Sequence, residues 1–274
     1  MNSTSNFQLP TSQVAKVAAL VFLVSIGAAA QTPFGEDAWH KIVFENPQMR
    51  LFSVNVAPGS TTTEHRHDFD IVTVSMNDGT ETRTSTGNKP ATARPARPLG
   101  NVAVTDYAGS PGSHKVENVG KRPYQLFAVE NRKKSGWSTA AAASGIGTKM
   151  VQESRAFRLY DVNLTLSASQ ATHTHAVPTI AILIKGKVMS DGPDAQAKAF
   201  APAPVGLRQL DAPGQWIVIP PGDRHHLVRL GTTDAQVVEV DLRYGQAVEH
   251  PDVVLVVIGS AKLLLRCQST PVIG

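Results

Sequence analysis

The chain carries nearly the same text twice, 108 residues apart. The segment Met49–Val56 returns as Phe157–Leu164, so that Arg50, Leu51, Val54 and Asn55 reappear as Arg158, Leu159, Val162 and Asn163. Ahead of it, Lys41, Val43 and Glu45 match Lys149, Val151 and Glu153. Behind it, at the same offset, His65 and His67 return as His173 and His175. A third pair, His114 and His225, is 111 residues apart, and Gln125, Val129 and Arg132 keep that offset as Gln236, Val240 and Arg243. Strands, histidines and spacing move together, so the fold must be one that can be built twice from about 100 residues, a size that sustains its own core.

The text within each copy is that of short strands and tight turns. Residues 41–45, 49–57, 69–76, 101–107 and 124–131 are rich in Val, Ile, Phe and Thr, and several alternate as half-buried strands do. Asn46-Pro47, Pro58-Gly59, Asn77-Asp78-Gly79 and Ser110-Pro111-Gly112 separate them with turn chemistry. The second copy predicts strands near 149–153, 157–166, 177–188, 215–219, 226–230 and 235–243. This pattern predicts an all-β fold of sandwich or barrel type, not a parallel α/β sheet. Residues 85–100, rich in Thr, Arg, Pro and Ala, read as a polar excursion, and 133–148 as a linker with room for a short helix. The organisation expected is a signal peptide over 1–30, an N-terminal domain over 31–132, the linker, a C-terminal domain over 149–243 and an extension over 244–274. In that extension Val253–Ile258 and Leu263–Leu265 are apolar and leave two readings open, an added strand or a loosely packed end.

Lys16 is followed by an apolar run through Gly27 and by Ala28-Ala29-Ala30, too short a run to span a bilayer and ending in a cleavage-type pattern. The expectation is a secretory signal cut after Ala30, hence a secreted or periplasmic protein with no membrane segment after cleavage. Cleavage removes one lysine and no acid from a formal net charge of +4. No run of Lys or Arg suits the tracking of phosphates, which argues against a nucleic-acid partner. Cys267 is the sole cysteine, so neither an intrachain disulfide nor a cysteine-based zinc site can form. A small-molecule ligand is the expected partner, and a homodimer is compatible with the sequence.

On a strand, residues i and i+2 share a face, so His65 and His67 aim two imidazoles at one point, as do His173 and His175. His114 and His225 are placed to add a third from a neighbouring strand. Three imidazoles suit a divalent first-row metal and leave positions open for water, substrate or dioxygen. The candidate ligands are therefore His65, His67 and His114 in one copy, and His173, His175 and His225 in the other. His226 should point away from its site, and His40 and His250, without repeat partners, read as surface residues. Trp39, Trp137 and Trp216 read as core, and the recurring Arg50 and Arg158 as an outward strand face or as contacts for an anionic substrate.

These residues resemble the two motifs of the cupin superfamily. Gly59-x5-His65-x-His67 fits the start of the first motif, and Gly214-x5-Pro220-x-Gly222-x2-His225 fits the second. Pro111-Gly112-Ser113-His114-x3-Asn118 keeps the order of the second motif in a tighter form. The resemblance covers residues 40–132 and 149–243 and implies two double-sheet jelly rolls, a bicupin. The glutamate that the family places after His-x-His is missing: Ile71 and Val72 stand there in one copy, Thr179 and Ile180 in the other. Asp70 comes one residue early, which puts it on the opposite strand face. Ser167 and Arg229 replace a motif glycine and asparagine in the second copy. Each copy thus reads as a three-histidine site without a carboxylate. The resemblance implies a divalent transition metal, iron first with manganese, nickel, copper and zinc as alternatives, and a metal-dependent oxidoreductase such as a dioxygenase or else a non-enzymatic binding protein. Fold alone does not choose between them.

Overall fold

A strand buried on one face alternates in polarity, whereas one buried on both reads as a continuous apolar run. Tyr124–Asn131 and Ala235–Leu242 are buried along nearly their whole length although both carry charged residues, and the architecture explains why. The computed structural model describes residues 32–143, 149–166, 169–191, 209–244, 253–258 and 261–266, the last two as backbone. The N-terminal half contains β1 (Thr32–Pro33), a 3-10 turn (Phe34–Glu36), β2 (His40–Glu45), β3 (Met49–Val56), β4 (His65–His67), β5 (Asp70–Ser75), β6 (Thr82–Ser85), β7 (Thr92–Arg94), β8 (Val102–Thr105), β9 (Gly112–Asn118) and β10 (Tyr124–Asn131). The C-terminal half contains β11 (Lys149–Glu153), β12 (Phe157–Leu164), β13 (His173–Thr174), β14 (Thr179–Lys185), β15 (Val188–Asp191), β16 (Gln209–Leu210), β17 (Trp216–Ile219), β18 (Arg224–Arg229) and β19 (Ala235–Leu242), followed by β20 (Val253–Ile258) and β21 (Ala261–Arg266).

Each half is a double-sheet jelly roll. The first combines a sheet of order β1-β4-β9-β6-β7 with one of order β21-β20-β2-β3-β10-β5-β8. The second combines β11-β12-β19-β14-β17 with β13-β18-β15-β16. The repeat is a repeat of register: β10 pairs with β3 and β5, and β19 with β12 and β14, with equivalent residues opposed.

Three apolar cores follow from this arrangement. Phe34, Phe52, Val54, Val56, Ile71 and Leu126 fill the N-terminal barrel. Val162, Leu164, Leu183, Ile217 and Val237 fill the C-terminal one. A third core lies between the barrels, where Met49, Leu51, Val72, Phe127 and Val129 meet Phe157, Leu159, Ile180, Ile182 and Val240. The large sheet of each barrel is therefore covered on both faces. Trp216 joins this interface, its ring centroid 5.4 Å from that of Phe44.

The repeat also carries an ion-pair cluster at the rim of each sheet. Glu45 Oε1 accepts from Arg50 Nε at 2.7 Å and Arg132 Nη1 at 3.0 Å. Glu153 Oε1 accepts from Arg158 Nε at 2.9 Å and lies 3.2 Å from Arg243 Nη1. Arg50 and Arg158 thus serve structure. The expectation of an outward face fails for Arg158, whose side chain is buried because it also donates to the Ala140 carbonyl at 2.7 Å.

Two further sequence expectations need correction. Residues 85–100 are not a bare excursion, since β6 and β7 close a hairpin across them. Residues 133–143 contain no helix; Trp137 instead bridges to Tyr244. The tail takes the added-strand reading, with β20 and β21 as a hairpin whose Leu255 pairs with Glu45 of β2. Residues 1–30, Ser167, His250 and Cys267 lie outside the described residues. No described helix is long and apolar enough to cross a membrane.

Candidate functional site

Both histidine sets form on the smaller sheet of each barrel, where β4 pairs with β9 and β13 with β18. His65 in β4 is directly opposed to His114 in β9, and His173 in β13 to His225 in β18. His67 and His175 follow two residues on, on the same inward face. Gly222, at φ +76°, makes the turn that lets its N–H donate to the His175 carbonyl at 2.8 Å, tying the two strands together. All six histidines chosen from sequence are thus brought together, three in each barrel.

The C-terminal set is more than three histidines. Glu239, fully buried on β19, joins His173, His175 and His225. Its carboxylate oxygens lie 3.9, 3.6 and 3.8 Å from the Nε2 atoms of these residues in that order. The expectation of two sites without a carboxylate therefore fails here. The acid arrives from a different strand, not from the position after His-x-His. A charged side chain on a strand covered on both faces needs fixed partners. Besides the imidazoles, Gln170 supplies one, its Nε2 donating to Glu239 at 3.3 and 3.4 Å while its Oε1 accepts from Leu227 N at 2.7 Å.

The outer nitrogens of this set are tied off. His173 Nδ1 donates to the Ala171 carbonyl at 2.8 Å and His225 Nδ1 to the Asp223 carbonyl at 3.2 Å. Carbonyls only accept, so the hydrogen sits on Nδ1 and each Nε2 turns a lone pair inward. His175 Nδ1 lies 2.6 Å from Asp241 Oδ1, and Asp241 also accepts from Thr179 Oγ1 at 2.7 Å and Tyr160 OH at 3.3 Å. Oriented imidazoles backed by carbonyls and a carboxylate are the usual support of metal-ligating histidines. The Nε2 atoms of His173 and His175 are 3.1 Å apart. Two ligands about 2.1 Å from one ion and at about a right angle would be separated by about 3 Å. The residues present thus fit a divalent ion.

The electrostatics agree. Burial works against the charge of Glu239, but the three imidazoles facing it outweigh burial and hold its carboxyl below the usual range. Burial depresses His173. Burial also works against a charged His175, but the Asp241 hydrogen bond and charge prevail and raise it. Burial and the Asp241 charge push the Tyr160 phenol up to about 12.

The N-terminal set differs in composition and in access. His65 Nδ1 donates to the Thr63 carbonyl at 3.0 Å, and His114 Nδ1 is 3.3 Å from Tyr107 OH. The His67 ring stacks on Tyr107 at 4.4 Å. His65 Nε2 and both His67 nitrogens are buried without a hydrogen-bonding partner. Three converging imidazoles, two of them with buried nitrogens left unpaired, suit a cation, so this set fits one as well. Burial and the facing histidines push His67 down to about 2 and His114 down to about 4. Burial also lowers His65.

Sequence reading misplaced His40. It is buried, with Nδ1 3.0 Å from Asp37 Oδ1 and its ring 4.7 Å from that of His65. Burial, then His65, push it down to about 4. Asp37, His40 and His65 bring their polar atoms together, but His40 is not part of the three-histidine group and stands beside it. No local motif marks His40, because the contacts that bury it come from the Phe34 turn and from β4. Asp70 is indeed turned away, its buried carboxylate accepting from Ala108 N at 2.7 Å and from Arg155 Nε at 3.0 Å. His226 is half-buried and belongs to neither cluster.

A cavity of about 150 Å³ opens onto the N-terminal set. His40, His65, His67 and His114 line it, together with Arg94, Arg97, Tyr107 and Tyr124.

No protein-family model matches the sequence, and no curated protein does. Solved structures match the fold. AerE from Microcystis aeruginosa has a TM-score of 0.52 at 15% identity, covering 75% of this chain and 99% of that one. YhhW from Escherichia coli has a TM-score of 0.51 at 14% identity, covering 76% and 92%. An oxalate decarboxylase has a TM-score of 0.50 at 9% identity, covering 73% and 70%. With two double-sheet barrels in tandem and a histidine cluster at the equivalent place in each, the chain has the fold of the cupin superfamily.

Proposed function

We propose that this is a secreted metal-dependent bicupin that holds a divalent transition metal in each barrel and acts on a small organic substrate in the N-terminal cavity. Iron is the first choice of metal, and oxygen-consuming oxidation the first choice of reaction. The observation that carries the reading is the converging set of Nε2 atoms and Glu239, each outer nitrogen tied to a fixed partner. His65, His67 and His114 would hold the ion of the N-terminal barrel, and His173, His175, His225 and Glu239 that of the C-terminal barrel. A bound ion would supply Lewis acidity and, if iron, redox chemistry.

A difference in access between the two barrels supports a division of tasks between them. The C-terminal set is closed off, each of its four side chains buried. The N-terminal set opens onto a cavity and has no carboxylate ligand, which leaves room for a substrate to complete the coordination. Phe34 and the Tyr107 ring cover His67 and keep water from that side.

The test is oxygen uptake by iron-loaded protein over a panel of small enols, phenols, diketones and thiols. Consumption that is lost in a His65→Ala, His67→Ala variant is expected. If no member of the panel is consumed, the dioxygenase reading falls. The enclosure of the C-terminal set favours a second reading, a secreted module that binds metal or a small ligand without turnover. For secretion, N-terminal sequencing of the exported protein is expected to begin at Gln31; an intact Met1 overturns it.

A further inference from the structure

The N-terminal cavity is unusual in its charge. Among the residues that line it are four histidines and two arginines, and there is no aspartate or glutamate. The carboxylate beside the histidine cluster, Asp37, is grouped with His40 and His65 and is already engaged by Trp39 N at 2.8 Å, Thr63 N at 2.6 Å and Thr63 Oγ1 at 2.5 Å. Arg94 closes β7 on the edge hairpin and is exposed at the mouth of the cavity. Arg97 is half-buried and donates to Thr73 Oγ1 at 3.1 Å. Neither arginine forms a salt bridge among the described residues, although Arg50, Arg66, Arg132, Arg155, Arg158 and Arg243 all do. Both arginines line the cavity together with Tyr124, and their charge works against the rise that burial imposes on that phenol.

The repeat shows what is missing. Where the C-terminal barrel has Glu239, the N-terminal barrel has Ala128, and Ala128 also lines the cavity. The C-terminal cluster has a carboxylate among its converging groups, and the cluster of His65, His67 and His114 does not. A cavity lined by two guanidiniums without salt-bridge partners and by no acid favours an anion, and guanidinium groups match the planar geometry of a carboxylate.

We infer that the N-terminal cavity binds a small carboxylate-bearing molecule, its carboxylate held by Arg94 and Arg97 and its far end directed at His65, His67 and His114. This rests on the reading of the cavity as the substrate site and names the class of substrate. The ligand supplies the negative charge that Ala128 cannot, and the cavity volume restricts it to a small acid.

Calorimetric titration of the full-length mature protein tests this, with metal content measured on the same samples. The probes are acids paired with their uncharged amides: acetate and acetamide, pyruvate and pyruvamide, benzoate and benzamide. At least one acid is expected to bind tenfold or more tightly than its amide. Arg94→Gln, at an exposed position, and Arg94→Gln with Arg97→Gln are expected to weaken or abolish that preference, and Arg94→Lys to retain most of it. In the His65→Ala, His67→Ala variant the acid preference is expected to persist. A protein found without metal whose acid preference still follows the arginines supports the inference while the metal reading fails. Amides that bind as well as every acid overturn the inference. So does an acid preference untouched by the arginine variants but lost with His65 and His67.

Discussion

Ala128 and Glu239 occupy the same position in the two barrels. Ala128 is paired with Phe52 and Thr73, and Glu239 with Tyr160 and Ala181, their counterparts in the repeat. The neighbours have changed to suit. Thr62 Oγ1 accepts from Val116 N at 2.8 Å, just as Gln170 Oε1 accepts from Leu227 N, but only the longer glutamine also reaches a carboxylate. Two differences, Ala128 for Glu239 and Thr62 for Gln170, thus separate a cluster with a carboxylate from one without it at equivalent strand positions.

Glu239→Ala should therefore make the C-terminal site resemble the N-terminal one. The fold should persist, since alanine is the residue the equivalent strand already carries. Metal affinity at that site should fall by at least ~10-fold, a loss at the lower end of what even an outer partner produces. Competition with a fluorescent chelator measures it.

Asp241→Asn tests the orientation of His175. Asp241 is held by Thr179 and Tyr160 and faces His175 Nδ1, so the amide keeps the shape and loses the charge. Metal affinity of the C-terminal site should drop by about 10–100-fold, with the N-terminal site unchanged. Chelator competition on protein whose N-terminal histidines are replaced isolates the effect.

Metal-free protein should lose stability in mild acid. Burial depresses His40, His67 and His114 below the ordinary imidazole value of about 6.5, to about 4, about 2 and about 4. Below pH 6.5 the unfolded chain takes up protons that the folded barrel refuses, so stability falls as the pH drops through that window. For His40 and His114 the loss levels off near pH 4. The Tm of metal-free protein at pH 5 should lie below that at pH 7.5, and His114→Gln should shrink the difference. A Tm independent of pH would contradict the burial assigned to these imidazoles.

Arg155→Ala should destabilise the contact between barrels. Arg155 binds Asp70 through Nε and Nη2 and also meets Asp106, while Asp70 is almost fully buried. Removing the cation leaves Asp70 with Ala108 N alone among the hydrogen bonds described for it. Because the arginine side chain is partly exposed, the cost should be about 1–3 kcal/mol, less than for a fully buried pair. Urea denaturation measures it.

Much of this was legible in the sequence. The six histidines and most long strands could be placed because the repeat moves whole strands with their inward residues, so that each copy checks the other. Glu239 was missed because the motif directs attention to the residues after His-x-His, and the acid comes from β19. Its signal was present: Glu239 and Asp241 interrupt an otherwise apolar strand between Val237 and Leu242. A charge on a strand covered on both faces must have a partner. His40 left no such trace, since its burial depends on a turn and a strand distant from any motif. Arg94 and Arg97 were hidden in a stretch whose composition resembles a loop, although β6 and β7 fold it over the cavity mouth.

The central claim is a divalent ion in each barrel, and elemental analysis of protein taken from its native compartment tests it most directly. Two equivalents of a divalent transition metal per chain are predicted. The His65→Ala, His67→Ala variant and the His173→Ala, His175→Ala variant should each retain one, and the combination of the two none. Stoichiometry that survives either pair of substitutions, or wild-type protein without transition metal, would contradict the account.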